Sequence, residues 1–208
     1  MFEMPKNALY AITPDGKTAQ EIFNFTQAVL KGGAKVVQYR DKSSNDKIAI
    51  AKELLTLCRT FNVPLIINDN VELAEKIGAD GVHLGKDDGE ISQARARLGE
   101  KAIIGVSCYN SLERALHAQK EGATYVAFGR FFSSTSKPLA EPAQIGTLTA
   151  SQKVLTVPII AIGGILPENG AQLLSAGADL LAVIGGLATE NPEQSAQTYC
   201  KLFSQNEN

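Results

Sequence analysis

Eight apolar runs of five to seven residues, rich in Val, Ile, Leu and Ala, recur along the chain. They predict strands over 8–13, 35–40, 64–69, 81–85, 102–108, 125–129, 158–164 and 180–185. Between them lie longer stretches that are amphipathic or Ala-rich. These predict helices near 18–31, 45–61, 71–77, 90–98, 111–121, 145–155, 168–176 and 192–204. The strand segments are continuously apolar, as expected when both faces of a sheet are covered. Alternating strands and helices imply a parallel sheet. Eight such units in 208 residues favour an α/β fold of the closed (β/α)8, or TIM-barrel, type over an open doubly wound sheet.

An internal echo supports the count. "KGGAKVV", "KIGADGV", "EGATYV" and "SAGADLL" each place a Gly-Ala pair between a helix end and a strand start. Gly accepts the left-handed conformation that closes a helix, and reuse of one structural unit is the natural reading of such an echo. No Pro/Ser-rich linker or low-complexity block interrupts the series, so residues 1–208 are expected to form one barrel domain.

Composition narrows the function. The net charge is −2, which argues against non-specific nucleic-acid binding. No apolar run approaches the ~18 residues that a membrane span needs. The start "MFEMPKNALYAIT" has no cationic region followed by a long apolar core, so no secretion signal is expected. Cys58, Cys108 and Cys200 are odd in number and scattered, as free thiols in a reducing cytoplasm would be. No Cys/His cluster has zinc spacing. With two His in the chain, any metal must rely mainly on oxygen ligands.

Barrels of this kind place their active sites at the C-terminal ends of the strands, and here those ends are unusually polar. Arg40, Asp41 and Lys42 follow the second strand. Asn68, Asp69 and Asn70 end the third, and Lys86, Asp87 and Asp88 follow the fourth. Ser107 ends the fifth, and "RFFSSTSKP" follows the sixth. The seventh and eighth end in "AIGGI" and "AVIGGL". Glycines there suit a phosphate cup built from backbone N–H groups; two ordinary Gly turns are the alternative. Asp69 and Asp88 on neighbouring loops suit a shared hard cation such as Mg²⁺, although Asp88 could equally cap a helix. Gln38, Arg40 and Lys42 alternate onto one side of their strand. A buried guanidinium needs an anionic partner, and a substrate diphosphate would supply one. The hydroxyls and Lys137 of "SSTSK" lie in a long loop, either a functional lid or a solvated segment. His83 reads as a satisfied core histidine. A divalent cation, cations for a diphosphate and a separate phosphate cup together suggest two phosphorylated substrates.

"VQYRDK", "IINDN", "GADGVHLGKDD", "IIGVSC", "FFSSTSK" and "AIGGI" occur in order along nearly the whole chain. They resemble the thiamine-phosphate synthase (thiamine-phosphate pyrophosphorylase) family. That family joins hydroxymethylpyrimidine diphosphate to a thiazole phosphate, giving thiamine phosphate and diphosphate. The resemblance implies that Gln38, Tyr39, Arg40, Asp41, Lys42 and Asn68 hold the pyrimidine diphosphate, with Ser107 and Lys137 on its diphosphate. It implies Mg²⁺ on Asp69 and Asp88. Ser134, Thr135 and Ser136 would contact the thiazole substrate, and Gly164, Ile184 and Gly185 its phosphate. Arg40, Ser107 and Lys137 would assist departure of the diphosphate. The family often has Ser where this chain has Gly185 and His where it has Tyr109. A sister family, the thiazole tautomerases, uses that His as its acid-base residue. A non-catalytic barrel that binds thiamine precursors is the third reading. Self-association stays open.

Overall fold

The computed structural model describes residues 3–41, 47–85, 89–133 and 141–204. Eight strands alternate with eight helices. They run β1 (Ala8–Ile12), α1 (Ala19–Lys31), β2 (Val36–Tyr39), α2 (Lys47–Thr60), β3 (Leu65–Asn68), α3 (Val71–Ile77), β4 (Gly81–Leu84) and α4 (Ile91–Leu98). The second half continues with β5 (Ile103–Tyr109), α5 (Leu112–Lys120), β6 (Tyr125–Phe128), α6 (Ile145–Gln152), β7 (Ile159–Ile162), α7 (Pro167–Ser175), β8 (Leu180–Val183) and α8 (Pro192–Ser204). Every strand pairs in parallel with its sequence neighbours, and β1 pairs with β8, so the sheet closes into the expected barrel. Among the described residues no helix is long and apolar enough to cross a membrane.

The parity of each strand decides what it delivers. Ala8, Tyr10, Ile12, Val36, Ile66, Ile103, Tyr125, Ala127, Ile160, Leu180 and Ala182 form the barrel interior. The intervening residues pack outward against the helices in two further clusters. Because side chains alternate at every residue, the interior set continues to Gln38 and Arg40 on β2 and the loop after it, Asn68 on β3, His83 on β4 and Ser107 on β5. The polar strand ends and the apolar floor therefore belong to the same faces.

The Gly-Ala echo has a structural counterpart. Gly33, Gly78, Gly122 and Gly177 all have φ between +67° and +109°, the region that closes a helix without a Cβ penalty. Two residues after Gly78, Gly122 and Gly177, a side-chain oxygen receives a backbone N–H from the first or second residue of the preceding strand. Leu65 N donates to Asp80 Oδ2 (2.9 Å), Ile104 N to Thr124 Oγ1 (3.0 Å) and Ile159 N to Asp179 Oδ2 (2.8 Å). The repeat thus satisfies strand-start donors that would otherwise lack a partner. Burial raises the Asp80 pKa above its ordinary value.

Candidate active site

The β2 end is held from the β1 side. Thr13, fully buried, accepts from Arg40 N and donates to Arg40 O, both at 2.9 Å, which locks the Arg40 backbone. Arg40, 7% exposed, pairs through its guanidinium with the Asp15 carboxylate in the loop after β1. The anion that a buried guanidinium requires is therefore already supplied by the protein. Thr13 and Asp15 are missed by the sequence reading. The signal was available: they follow the first strand as Arg40 and Asp41 follow the second. Gln38 is buried and donates from Nε2 to Tyr10 Oη (2.8 Å). Tyr39 is also buried, but its ring packs with the helix-side cluster, and its hydroxyl donates to Asp41 Oδ2 (3.1 Å). It is thus separated by parity from Gln38 and Arg40.

Asp69 has φ +61°, an uncommon conformation for a residue other than glycine and one that Asp tolerates better than most. Its N–H donates to His83 O (2.8 Å), and Asn68 Nδ2 donates to its Oδ2 (2.6 Å). The carboxylate is presented at the rim. Asp41, Asn68, Asp69, Asn70, Glu90 and Arg97 help line an open cavity of about 710 Å³ on the β2–β4 side of the mouth. It does not extend to the glycine loops after β7 and β8. Among the described residues no group of three or more His, Cys, Asp or Glu could hold a metal. Asp69, the first of the two expected metal ligands, is described at the rim; its expected companion Asp88 lies outside the described residues, as do Lys42, Ser134, Thr135, Ser136 and Lys137.

At the end of β5 the register with β6 shifts between Ser107 and Tyr109, and Tyr109 takes φ +57°. Irregularities of this kind re-aim side chains at strand ends. Ser107 Oγ lies 2.9 Å from His83 Nε2, and His83 Nδ1 lies 2.9 Å from Tyr125 Oη. His83 is the satisfied histidine that the sequence suggested. Arg114 donates to Ser107 O (2.8 Å) and Gly85 O (3.2 Å), tying the ends of β4 and β5 together. Its guanidinium also stands 5.8 Å from the Tyr109 ring centroid.

On the opposite side, Gly164 has φ +63°, and a Cβ there would lie 2.3 Å from Ser133 O and 2.8 Å from Phe132 C. Glycine at 164 is demanded by the close approach of the loop after β6. Gly185 differs: among the described residues a Cβ there meets nothing within 4 Å. Ile184 packs against the barrel interior beside it. The loop after β7 is braced from two helices. Asn169 accepts from Leu166 N (2.9 Å) and donates to Gly164 O (3.1 Å), while Tyr199 of α8 donates to Ile165 O (2.9 Å). A Cβ at Gly186 would collide with that Tyr199 hydroxyl. Asn169 and Tyr199 are also absent from the sequence reading.

The mouth therefore has two chemically different sides, and known proteins share its framework. A family model described as thiamine monophosphate synthase matches residues 9–187. The thiamine-phosphate synthase of Methylococcus capsulatus is 48% identical over 202 residues, covering 96% of this chain and 90% of the relative. That of Methylobacillus flagellatus is 50% identical over 203 residues, covering 96% and 97%. Among solved structures, thiamine phosphate pyrophosphorylase from Pyrococcus furiosus superimposes with a TM-score of 0.85 at 30% identity, covering 97% of both chains. The chain belongs to the thiamine monophosphate synthase family.

Proposed function

We propose that this chain is a thiamine-phosphate synthase, a transferase of thiamine biosynthesis. It moves a pyrimidinylmethyl group from its diphosphate to the nitrogen of a thiazole phosphate, and releases diphosphate. The observation that carries the reading is the two-sided mouth. Charged and amide side chains from β2 to β5 face the barrel axis, and the glycine loops after β7 and β8 close the opposite side. Two phosphorylated substrates that must meet at one carbon need two such sites across one opening.

In this reading Gln38, Arg40, Asp41, Lys42 and Asn68 receive the pyrimidine diphosphate, and Tyr39, turned to the helix side, acts only by holding Asp41. Ser107 and Lys137 donate to the diphosphate oxygens. Ser134, Thr135 and Ser136 hold the thiazole, and the loops at Gly164, Ile184 and Gly185 hold its phosphate. The methylene C–O bond breaks with its electron pair going to diphosphate. The electron-rich aminopyrimidine bears the positive charge left on carbon. The thiazole nitrogen then supplies the pair for the new C–N bond, so no protein nucleophile is needed. Cationic and neutral donors fixed where the negative charge grows lower the barrier, because their orientation needs no rearrangement during the reaction.

Oxygen ligands suit a hard cation, and the Asp69 carboxylate, braced by Asn68, fits Mg²⁺ shared with Asp88. Bound there, the cation would neutralise charge on the departing diphosphate. The position that carries an acid-base His in the tautomerases is Tyr109 here, set beside the Arg114 guanidinium; that supports the synthase. The whole chain, 1–208, is taken as one cytoplasmic barrel domain.

The test is direct. Incubation with both substrates and Mg²⁺ should yield thiamine phosphate and diphosphate in equal amounts. EDTA or Asp69→Ala should remove most of that activity. Full activity with EDTA would overturn the metal assignment, and absence of product with both substrates and Mg²⁺ would overturn the reaction.

A further inference from the structure

Five polar side chains from five different strands form one connected line through the barrel interior. Gln38 Nε2 lies 2.8 Å from Tyr10 Oη, which lies 2.8 Å from Tyr125 Oη. Tyr125 Oη lies 2.9 Å from His83 Nδ1, and His83 Nε2 lies 2.9 Å from Ser107 Oγ. The rings pack as closely as the bonds suggest. Tyr10 meets Tyr125 edge-on at 5.9 Å, and His83 stacks on Tyr125 at 5.6 Å. Space for the Tyr125 ring comes from Gly105, where a Cβ would fall 1.9 Å from Tyr125 Cζ. A barrel interior is normally filled by branched apolar residues, so such a polar line is a costly feature to build without a use.

The line has a direction, and its first member sets it. An amide nitrogen only donates, so Tyr10 Oη accepts from Gln38. Tyr10 is 1% exposed, and a buried hydroxyl proton needs an acceptor. The acceptor is Tyr125 Oη. Tyr125 is fully buried as well and passes its own proton toward His83 Nδ1. Burial raises the pKa of both phenols, so they remain protonated donors at neutral pH. His83 Nδ1 is then an acceptor, the ring is the neutral Nε2–H tautomer, and Nε2–H donates to Ser107 Oγ. With its oxygen receiving that bond, Ser107 must direct its own proton elsewhere. It is the half-buried residue at the end of β5, at the mouth.

We infer that Gln38, Tyr10, Tyr125 and His83 form a one-way hydrogen-bond relay that fixes Ser107 as a hydrogen-bond donor into the mouth, and that Tyr125 and His83 are positioning residues for the anionic leaving group. A diphosphate oxygen only accepts, so a serine committed to donating is matched to it. Without the relay the same hydroxyl could spend its proton on His83 Nε2 and offer the anion nothing. The identity of the anion rests on the function proposed above; the direction of the relay does not.

Two measurements test it. The first is ¹⁵N NMR of the histidine side chains in the ligand-free enzyme at neutral pH, with His117→Gln assigning the only other histidine, which is exposed. The expected spectrum has His83 with a pyrrole-type Nε2 and a pyridine-type Nδ1. A Nδ1–H tautomer, or a ring protonated at both nitrogens, overturns the inference. The second is a double-mutant cycle on the kcat/KM of the pyrimidine diphosphate, with circular dichroism to confirm folding. Tyr125→Phe should lower kcat/KM about 3- to 10-fold in the wild-type background, the range expected for one net hydrogen bond. In a Ser107→Ala background it should cost less than about 2-fold, because residues that act through one another are not additive. Equal losses in both backgrounds would show that Tyr125 acts by some route other than Ser107. If the wild type makes no thiamine phosphate, the assignment of the anion falls, while the tautomer still decides the relay.

Discussion

Gly164→Ala should destabilise the protein, and Gly185→Ala should not, although both glycines end adjacent strands in similar sequence. At Gly164 two costs add. The backbone is left-handed at φ +63°, which costs a residue with a Cβ about 1–2 kcal/mol. The Cβ would also sit 2.3 Å from Ser133 O and 2.8 Å from Phe132 C. Both are main-chain atoms, so relief requires movement of the loop after β6. Overpacking of that kind costs about 1–3 kcal/mol. A total near 3 kcal/mol in a chain of this size lowers Tm by about 6–12 °C. At Gly185 the added methyl meets nothing within 4 Å among the described residues, and the backbone is outside the left-handed region. Reduced freedom of the unfolded chain then contributes roughly 0.4–1 kcal/mol of stabilisation. Thermal denaturation of both variants followed by circular dichroism measures the difference. Equal Tm values, or an unchanged Tm for Gly164→Ala, would refute the packing argument at this loop. A bulkier Gly185→Val should keep its Tm and raise the KM of the thiazole phosphate above that of the pyrimidine, because the space it fills lies on the proposed phosphate side.

Asp15→Ala removes the carboxylate that pairs with the buried Arg40 guanidinium. It should raise the KM of the pyrimidine diphosphate and lower stability by about 1–3 kcal/mol; unchanged values of both would show the pair to be incidental. Asp80→Asn keeps an acceptor for Leu65 N while removing the charge. Burial raises the Asp80 pKa above its unfolded value, so its stability contribution is fully present below the unfolded pKa and lost as pH rises through the folded one. The wild type should therefore lose Tm relative to Asp80→Asn as pH rises from about 4, the ordinary carboxyl value, through the raised pKa of the folded state, and a constant difference would contradict the assignment. Burial pushes the Cys58 and Cys108 thiols up to about 12, so in the native protein both should resist a thiol reagent that attacks thiolates. The half-buried Cys200 should react first, and rapid native labelling of Cys58 would count against the packing.

The fold was legible because a strand covered on both faces needs an unbroken apolar run, and eight such runs stand out. Predicted and observed ends differ little: 45–61 became Lys47–Thr60, and 102–108 became Ile103–Tyr109. The shared face of Gln38 and Arg40 followed from strand parity, a local property. What could not be read was pairing across distance. Tyr10 and Tyr125 are 115 positions apart, and Arg40 and Asp15 are 25 apart. Each looks ordinary alone, and only closure of the barrel joins them. The Gly164 motif was visible as a glycine pair, but its demand for a missing Cβ comes from Phe132 and Ser133 on another loop.

A crystal structure with thiamine phosphate, diphosphate and Mg²⁺ tests the division of the mouth most directly. Diphosphate should lie beside Arg40, Asn68 and Ser107, with the metal on Asp69. The phosphate of thiamine phosphate should lie across the opening, against the loops at Gly164 and Gly185. Diphosphate bound away from the β2–β5 strand ends, or both anions on the same side, would contradict it.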